Sequence, residues 1–428
     1  MRQRTIGALF LGMGLCGLAS AQQPLTISDA LTMAKERNGS VQAAFLNYRA
    51  SQKSARGAYS AFLPSVTPSI SRDWGRSETL TGPFRSKDDF TTTNAALDVS
   101  WRLFDDGSRQ DRYDQARYSA EAQQFNALQT LRNTLFSVHS RFYDALRAQE
   151  LLRVQMDNLE RAKVILEQTK FRANPPIEDV PKKDILQAEA DYQNARVSVL
   201  AAENQVATSA ADLKAVLAWE QSELPELAKP TAQQLPELDM TLQQAIELGL
   251  ANRADLAASR ERIYSQQVAV RTAKRDSLIG FSLDAGYRRV FADDPFQRAS
   301  LTFSASMPLY DGQNSKSVLD AARLTLEAQN ASFEQDVRNV RAEIESTYKE
   351  YGQNRIRFEA ATAALNAAQE NYRAAEAAQK EGAGNLIQVL TARVSLTTAE
   401  SNLVQATYDM LISDVKFRLA TGQPVPGE

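Results

Sequence analysis

The sequence is poor in the side chains that most often carry catalysis and metal binding. Its 428 residues include one cysteine, Cys16, and one histidine, His139. A His/Cys metal cluster is therefore excluded. A Ser-His-Asp triad would have to use His139, which lies in a long predicted helix and outside any nucleophile-elbow motif. The stretch "GAGNL" (382–386) lacks the Gly-Lys-Ser/Thr ending of a phosphate-binding loop. We therefore predict no enzyme activity, no metal and no cofactor.

The chain also lacks a strong excess of positive charge and a long apolar run. It has 49 Lys and Arg against 52 Asp and Glu, a net charge of −3. The basic surface of a nucleic-acid-binding protein is therefore absent. Beyond Ala21, no segment offers the run of roughly 18 consecutive apolar residues that indicates a membrane-spanning helix.

The N-terminal segment 1–21 has the pattern of a secretory signal peptide. Arg2 and Arg4 precede an apolar stretch that ends in the small residues of "ASA" (19–21). Cleavage after Ala21 would remove Cys16 and two arginines, which lowers the net charge from −3 to −5. A lipoprotein signal is the alternative, but Leu15 stands where a small residue is required. The exported chain would then be soluble in the periplasm, secreted, or a β-barrel of the outer membrane.

Two halves of the chain share one pattern, which we interpret as an internal duplication. Two helical segments, one beginning at Ile185 and the other at Val389, carry the same order of large and small side chains along a heptad seam. The predicted repeats are 22–220 and 240–421, joined by a linker (221–239) and followed by a tail (422–428). Each repeat is predicted to contain two short helices, two strands and a long helical hairpin, 110–218 in the first and 314–420 in the second.

Four segments alternate between apolar and polar residues, which predicts strands at about 64–74, 93–104, 279–290 and 298–310. Each is about ten residues long, enough to cross a bilayer when tilted. The polar stretches 75–90 and 291–298 are predicted to be the connecting loops. We predict that five residues of the apolar face contact lipid: Leu97, Val99, Trp101, Leu301 and Phe303. We predict that five residues of the polar face point into the water-filled lumen: Asp98, Ser100, Arg102, Asp284 and Arg288.

Four strands cannot close a membrane barrel, because closed barrels in membranes have at least eight strands. A sheet edge cannot be left open in lipid. Three copies of the chain would supply twelve strands, and the same symmetry would arrange the helices as a hollow bundle. The predicted fold is therefore mainly α, with a shared trimeric β-barrel continued by a coiled-coil α-helical barrel. The alternative is a soluble periplasmic coiled-coil scaffold or an adhesin stalk, which the heptads alone would also fit.

Four stretches of sequence resemble the TolC family of outer-membrane efflux proteins: "LTISDALTMAKERN" (25–38), "SWRLFDDGSR" (100–109), "PLYDGQNS" (308–315) and "KEGAGNLIQVLTARVSLTTAESNL" (380–403). The resemblance implies a homotrimer in the outer membrane with its helices in the periplasm. It further implies an exit duct for a tripartite efflux pump or a type I secretion system. The partners it implies are a periplasmic adaptor and, through the adaptor, an inner-membrane transporter.

The same resemblance implies that two helix breaks form the periplasmic tips of the duct. The corresponding stretches are "RANPPIEDVPKKD" (172–184) and "KEGAGNLIQVL" (380–390). The candidate adaptor contacts at these tips are Pro175, Pro176, Gly382 and Gly384. Near the second tip, Arg373 and Glu376 are candidates for a constriction that gates the channel.

Overall fold

The described residues of the two halves form α-helices and β-strands in the same order, and a short 3₁₀ turn is added in the first half. The computed structural model describes residues 24–81, 84–173, 181–229, 240–275, 279–292, 295–307 and 309–428. The first half contains α1 (Ile27–Arg37), α2 (Gly39–Tyr59), a 3₁₀ turn (Ser60–Phe62), β1 (Ser65–Thr81), β2 (Phe84–Phe104), α3 (Ser108–Arg172) and α4 (Lys182–Leu217). The second half contains α5 (Leu242–Asn252), α6 (Ala254–Arg275), β3 (Gly280–Phe291), β4 (Phe296–Ser306), α7 (Asn314–Lys380) and α8 (Leu386–Ala420). The chain is mainly helical, as predicted.

Two very long helices, α3 and α7, organise the molecule. They contain 65 and 67 residues, which corresponds to about 100 Å at 1.5 Å per residue. The helix α3 packs against α2 and α4, and α7 packs against α6 and α8. In addition, α3 packs against α6 and α8 of the other half, so α3 joins the two halves.

The main hydrophobic core lies where the short helices meet the long ones. From α3, Leu135, Phe142 and Leu146 are buried there against Leu213 and Leu217 of α4. Residues from both halves enter this core, because α1, α8 and the C-terminal tail also contribute side chains. Within the described residues, no helix is both long enough and apolar enough to cross a membrane.

A tight turn connects a strand to each long helix. Asp106 and Gly107 precede α3 with φ of 50° and 85°, and Gly312 and Gln313 precede α7 with φ of 68° and 69°. Aspartates before these turns cap the helices: Asp105 Oδ2 accepts from the backbone N–H of Arg109 at 3.1 Å. Asp311 Oδ2 accepts from the backbone N–H of Ser315 at 2.8 Å. Both segments are therefore turns in which Asp caps a helix.

The four strands form one antiparallel sheet in the order β1-β2-β3-β4. The predicted bounds of the first strand pair were too short. β1 and β2 pair without interruption from Ser65 opposite Ser100 to Thr81 opposite Phe84, so most of the predicted loop 75–90 is strand. The missed part is mostly polar in sequence, and main-chain pairing does not require apolar alternation. An ion pair between Arg76 Nε and Asp89 Oδ1, at 2.6 Å, also joins the two strands there.

For the second strand pair, the predicted bounds were too long. β4 ends at Ser306 rather than near residue 310. β3 and β4 contain 12 and 11 residues, whereas β1 and β2 contain 17 and 21. The first hairpin therefore extends farther from the helices than the second.

Candidate functional site

One face of the sheet is apolar across all four strands. In an antiparallel sheet, directly opposite residues point to the same face. One cross-strand row therefore consists of Val66, Val99, Ala285 and Leu301. The next row on this face consists of Trp101, Leu283 and Phe303. Leu97 lies opposite Tyr287 on the same face. The structure thus brings the five residues predicted to contact lipid onto one face.

The other face of the sheet is polar. One row on it consists of Ser65, Ser100, Asp284 and Thr302. Arg102 lies opposite Ser282, and Ser282 Oγ lies 2.7 Å from Ser304 Oγ. Asp98 lies opposite Gly286, and Arg288 lies opposite Arg298. The five residues predicted to line the lumen therefore share the face opposite the apolar one.

The apolar face has no cover within the described residues of the chain. Trp74 is 77% exposed and Leu301 is 73% exposed, which is unusual for such large apolar side chains. At the helical end of the sheet, Trp101 Nε1 donates a hydrogen bond to the Phe62 carbonyl at 3.1 Å. A tryptophan with an apolar ring outside and a polar partner at its edge is typical of a membrane–water boundary.

Both edges of the sheet are free in the part of the chain that the structure describes. There, β1 and β4 each pair with one neighbouring strand, so each presents a row of unpaired main-chain groups on its outer side. Such edges are sites of pairing with another chain.

At the opposite end of the molecule, the break between α7 and α8 depends on two glycines. Gly382 has a φ of 78°, and the N–H groups of Ala383 and Gly384 both donate to the Ala378 carbonyl at 2.9 Å. A Cβ on Gly384 would lie 3.0 Å from the Gln379 backbone nitrogen. Asn385 then caps α8 in a capping box with Gln388. The chain therefore reverses its direction in a very short turn.

The break between α3 and α4 is longer. α3 ends at Arg172, and α4 begins at Lys182. The candidate contacts Pro175 and Pro176 lie outside the described residues.

A groove of about 960 Å³ separates the two hairpin ends. It is lined by residues of both hairpins, among them Ile165, Phe171, Asp184, Lys380, Gly384 and Leu386. Gly382 also lines the groove. Phe171 is 69% exposed, so an apolar side chain stands at the rim of an otherwise polar tip.

The candidate constriction residues lie on one helix and pair along it. Arg373 Nη1 lies 2.6 Å from Glu370 Oε1, and Lys380 Nζ lies 3.1 Å from Glu376 Oε1. Arg373 and Glu376 thus form these ion pairs with other residues of α7. Both side chains are accessible, with that of Arg373 70% exposed.

A buried arginine that the sequence analysis missed joins the two hairpins. Arg393 of α8 forms an ion pair with Asp191 of α4, and its Nη1 donates to Asn158 Oδ1 of α3 at 3.1 Å. Thr397 Oγ1 donates to the same Asn158 oxygen at 3.1 Å. Arg393 lies next to the heptad residue Ala392, and the spacing of the seam gave no indication that an arginine beside it is buried.

Two further ion pairs tie α3 to α8. Arg161 Nη2 lies 2.7 Å from Glu400 Oε2, and Arg147 Nη1 lies 2.9 Å from Asp409 Oδ1. Together with Arg393, they hold the two hairpins side by side along much of their length. Tyr408 is buried in the same region, and this burial raises its pKa to about 12.

The fold is that of an outer-membrane channel subunit. The solved structure of CusC, described as undergoing conformational changes during folding and transmembrane channel formation, superposes with a TM-score of 0.82 at 16% identity, covering 93% of this chain and 92% of CusC. A family model described as outer membrane efflux protein matches residues 30–218 and again 245–423. The chain therefore belongs to the outer membrane efflux protein family, whose members are passive channels rather than enzymes.

Two curated relatives match almost the whole chain. Outer membrane efflux protein BepC of Brucella suis biovar 1 is 24% identical over 97% of this chain and 89% of its own length. Outer membrane protein TolC of Vibrio cholerae serotype O1 is 24% identical over 97% of this chain and 94% of its own length.

Proposed function

We propose that the chain is one protomer of a homotrimeric exit duct in the outer membrane, serving a tripartite efflux pump or a type I secretion system. One observation carries this proposal: among the described residues, an open four-stranded sheet has a continuous, uncovered apolar face and two free edges. In lipid, the main-chain groups of β1 and β4 need partners. Three copies supply twelve strands, which exceeds the eight of the smallest membrane barrels.

In this arrangement, the two faces of the sheet have different surroundings. The apolar rows containing Val99 and Phe303 contact lipid. The polar rows containing Ser100 and Asp284 line a water-filled lumen, because side chains alternate between the two sides of a barrel wall. The rest of each face follows the same rule.

The helices extend the duct away from the membrane into the periplasm. Each long helix begins directly at a strand, so the ends of α3 at Arg172 and of α7 at Lys380 lie far from the sheet. A periplasmic adaptor would contact this end through Pro175, Pro176, Gly382 and Gly384. The adaptor would in turn connect the duct to an inner-membrane transporter, which supplies the energy.

We further propose that the resting channel is narrow near Arg373 and Glu376. The exposure of these side chains leaves them free to face a channel axis. Alanines at 374, 375, 377 and 378 would allow three helices to approach one another closely there.

Location and maturation complete the proposal. The signal peptide 1–21 would be cleaved after Ala21, and the mature chain would be inserted into the outer membrane. The relatives named above carry outer-membrane names, which supports this location.

The test is the mass and the conductance of the purified protein. Detergent-solubilised protein should have a protein mass of three chains and should form ion-conducting channels in planar bilayers. A monodisperse monomer that retains its strands contradicts the proposal. Fractionation tests the scaffold alternative, since a barrel remains with outer membranes after a high-salt wash and a soluble scaffold is released.

A further inference from the structure

The apolar face of the sheet carries two arginines near the end that lies farther from the helices. Arg289 lies there opposite Ala95. One row farther out, Arg72 lies opposite Thr93. Residues 93 and 95 alternate with a period of two from Val99 on β2, so both rows belong to the apolar face. Positive charge thus appears on the face that is proposed to contact lipid.

These two rows lie about one membrane thickness from the helical end of the apolar face. From Trp101 to Thr93, β2 extends about 27 Å, or about 20 Å in height at the usual strand tilt. The apolar band of a membrane barrel is about 25 Å tall, and a long arginine side chain can extend its charge towards water. Tyr287 Oη also donates a hydrogen bond to Gln297 Oε1 at 3.0 Å there, as is typical of a tyrosine at a membrane boundary. The two guanidinium groups therefore lie at the level of the lipid headgroups.

Neither arginine is neutralised by the described residues. Both side chains are exposed, and neither forms an ion pair there. The guanidinium group of Arg289 lies over the ring of Phe291, 5.0 Å from its centroid. Asp73, which follows Arg72 in the sequence, points to the other face, where Asn94 Nδ2 donates to its Oδ2 at 2.9 Å. The next arginine on the same side of β1, Arg76, is different because it pairs with Asp89 at 2.6 Å.

A neighbouring copy would not supply an acidic partner from the described part of β4. In the proposed barrel, the free edge of β1 pairs with β4 of the next protomer. The residues of β4 that share the face of Leu301 are neutral: Gln297, Ala299, Phe303 and Ala305. The charge of Arg72 therefore stays available after the barrel closes.

The chemistry of this patch fits phosphate groups at a membrane surface. Guanidinium groups bind phosphate through charge-assisted and often bidentate hydrogen bonds. Arg72 and Arg289 lie two strands and one row apart, which places their Cα atoms on the order of 12 Å from each other. That spacing suits two phosphates better than one. On the same face, Ile70 and Trp74 flank Arg72 and are 78% and 77% exposed, so they add apolar contact with the lipid.

We infer that Arg72 and Arg289 bind a doubly phosphorylated lipid headgroup in the outer leaflet of the membrane. This inference rests on the proposed location of the barrel in the outer membrane and adds a ligand to its outer surface. The patch lies outside the lumen, so the bound lipid would fix the height of the barrel in the membrane and leave the duct open.

Binding of a fluorescent diphosphoryl lipid A to the purified protein in a neutral detergent tests the inference. Arg72→Gln and Arg289→Gln should each weaken binding about fivefold, and the double variant about 25-fold, the size expected for one and two arginines at an anionic lipid surface. Arg288→Gln is the matched control. It removes the same charge from the adjacent residue of β3, but residue 288 lies on the polar face opposite Arg298, so this variant should bind like the parent.

Varying the ligand in the same assay distinguishes a lipid headgroup from a free anion. Lipid A without its two phosphates should bind the parent about 25-fold more weakly, and the double variant should not weaken its binding further. Salt at about 1 M should weaken the binding of diphosphoryl lipid A to the parent. Millimolar inorganic phosphate should not displace the lipid, because it lacks the acyl chains that hold the headgroup at this level.

The outcomes separate the inference from the proposed function. Equal weakening by Arg288→Gln, or equal binding of lipid A with and without its phosphates, overturns the inference. Displacement of the lipid by inorganic phosphate also overturns it, because the patch would then bind an adventitious ion only. In each of these cases, a mass of three chains and an ion-conducting channel leave the proposed function standing. A mass of one chain before any lipid is added overturns the proposed function itself.

Discussion

The two long helices are almost equal in length but very unequal in burial. α3 buries 19 of its 65 residues, whereas α7 buries 6 of its 67. The difference is greatest next to the sheet, where α3 buries Asp111, Ala120 and Ala122, and where the first buried residue of α7 is Val340. The cause is that both α2 and α6 pack on α3, whereas α7 packs only against α6 of these two helices among the described residues. The heptad pattern of a helix thus predicts which face packs against its hairpin partner. It does not predict the burial of the other faces, because that burial depends on which distant helices the fold places beside them.

The helical frame was the most predictable part of the fold. The predicted hairpins 110–218 and 314–420 begin and end within about two residues of the observed α3–α4 and α7–α8 pairs, because a long periodic pattern constrains both the length and the face of a helix. The two faces of the sheet were equally predictable, since each strand alternates with a period of two.

The polar extension of the first hairpin and the buried charges were not predictable in this way. Residues 75–81 and 84–90 pair through main-chain hydrogen bonds that leave no apolar pattern. Asp111 and Arg393 are buried because helices from the other half cover them, and a local pattern carries no information about such distant partners.

The largest difference between the halves is expected in the loss of stability when one side chain is replaced. The two residues to compare are Arg393 and Glu189, which correspond when the heptad seams of α8 and α4 are aligned. The side chain of Arg393 is 3% exposed in its pair with Asp191. Arg393→Met would leave Asp191 without its partner and should destabilise the packed hairpins by about 3–5 kcal/mol. Glu189 pairs with Lys170 at 3.0 Å, and both side chains are about half exposed. Glu189→Met should therefore cost about 0–1 kcal/mol.

Hydrogen exchange of the α8 amides between 389 and 397 in the purified protein would measure both changes. A double variant, Arg393→Met with Asp191→Leu, should recover part of the lost protection, because no unpaired charge remains. Similar losses at 189 and 393 would show that the two halves are held together in the same way.

In the sheet, by contrast, equivalent substitutions in the two halves should have similar effects. Val99 and Leu301 lie in one apolar row. Replacing either residue by Arg should impair membrane assembly, at a cost of about 2–4 kcal/mol near the middle of the bilayer. The adjacent residues Ser100 and Thr302 lie in one polar row, and Ser100→Arg and Thr302→Arg should assemble and change the conductance instead.

The measurements are the amount of trimer in outer membranes and the single-channel conductance. Equal impairment by Val99→Arg and Ser100→Arg would contradict the assignment of the faces. Impairment by Val99→Arg but not by Leu301→Arg would show that only one half of the chain faces lipid.

At the proposed periplasmic end, the second hairpin rather than the first is expected to control the pore. Arg373→Ala, Glu376→Ala and the double variant should change the conductance or the ion selectivity in at least one case. The effect should be larger at low salt, because screening of the exposed charges is then weaker. Lys170→Ala, which removes one surface charge from the first hairpin, is the matched control and should behave like the parent in planar bilayers. Parental behaviour of all three α7 variants would exclude a constriction at this site.

The smallest expected effect concerns the C-terminal tail, which contacts His139 in the first half of the chain. His139 Nε2 lies 3.0 Å from the Pro426 carbonyl, so Nε2–H donates to it, and the buried Nδ1 has no hydrogen-bond partner among the described residues. Burial lowers the pKa of His139, against weaker opposite effects of the Pro426 carbonyl and Asp414. The contribution of neutral His139 to stability is therefore fully present above its unfolded pKa of about 6.5 and is lost as the pH falls through the lowered folded value.

We therefore expect the tail amides at 423–428 to lose protection from hydrogen exchange, corrected for intrinsic rates, between pH 7.5 and pH 5. His139→Gln should remove this loss, because a glutamine amide can donate to the Pro426 carbonyl and does not titrate. When the left-handed pairs at 106–107 and 312–313 are aligned, Glu345 of α7 is the counterpart of His139 of α3. The exposed side chain of Glu345 pairs with Lys349 at 2.7 Å. The Lys349 partner lowers the pKa of Glu345, so Glu345→Gln should leave the tail's pH dependence unchanged over this range. If His139→Gln lost protection as the parent does, another group would have to release the tail. The next residue to test would then be Glu428, whose Oε2 lies 3.0 Å from Arg132 Nε, because an arginine keeps its charge throughout this pH range.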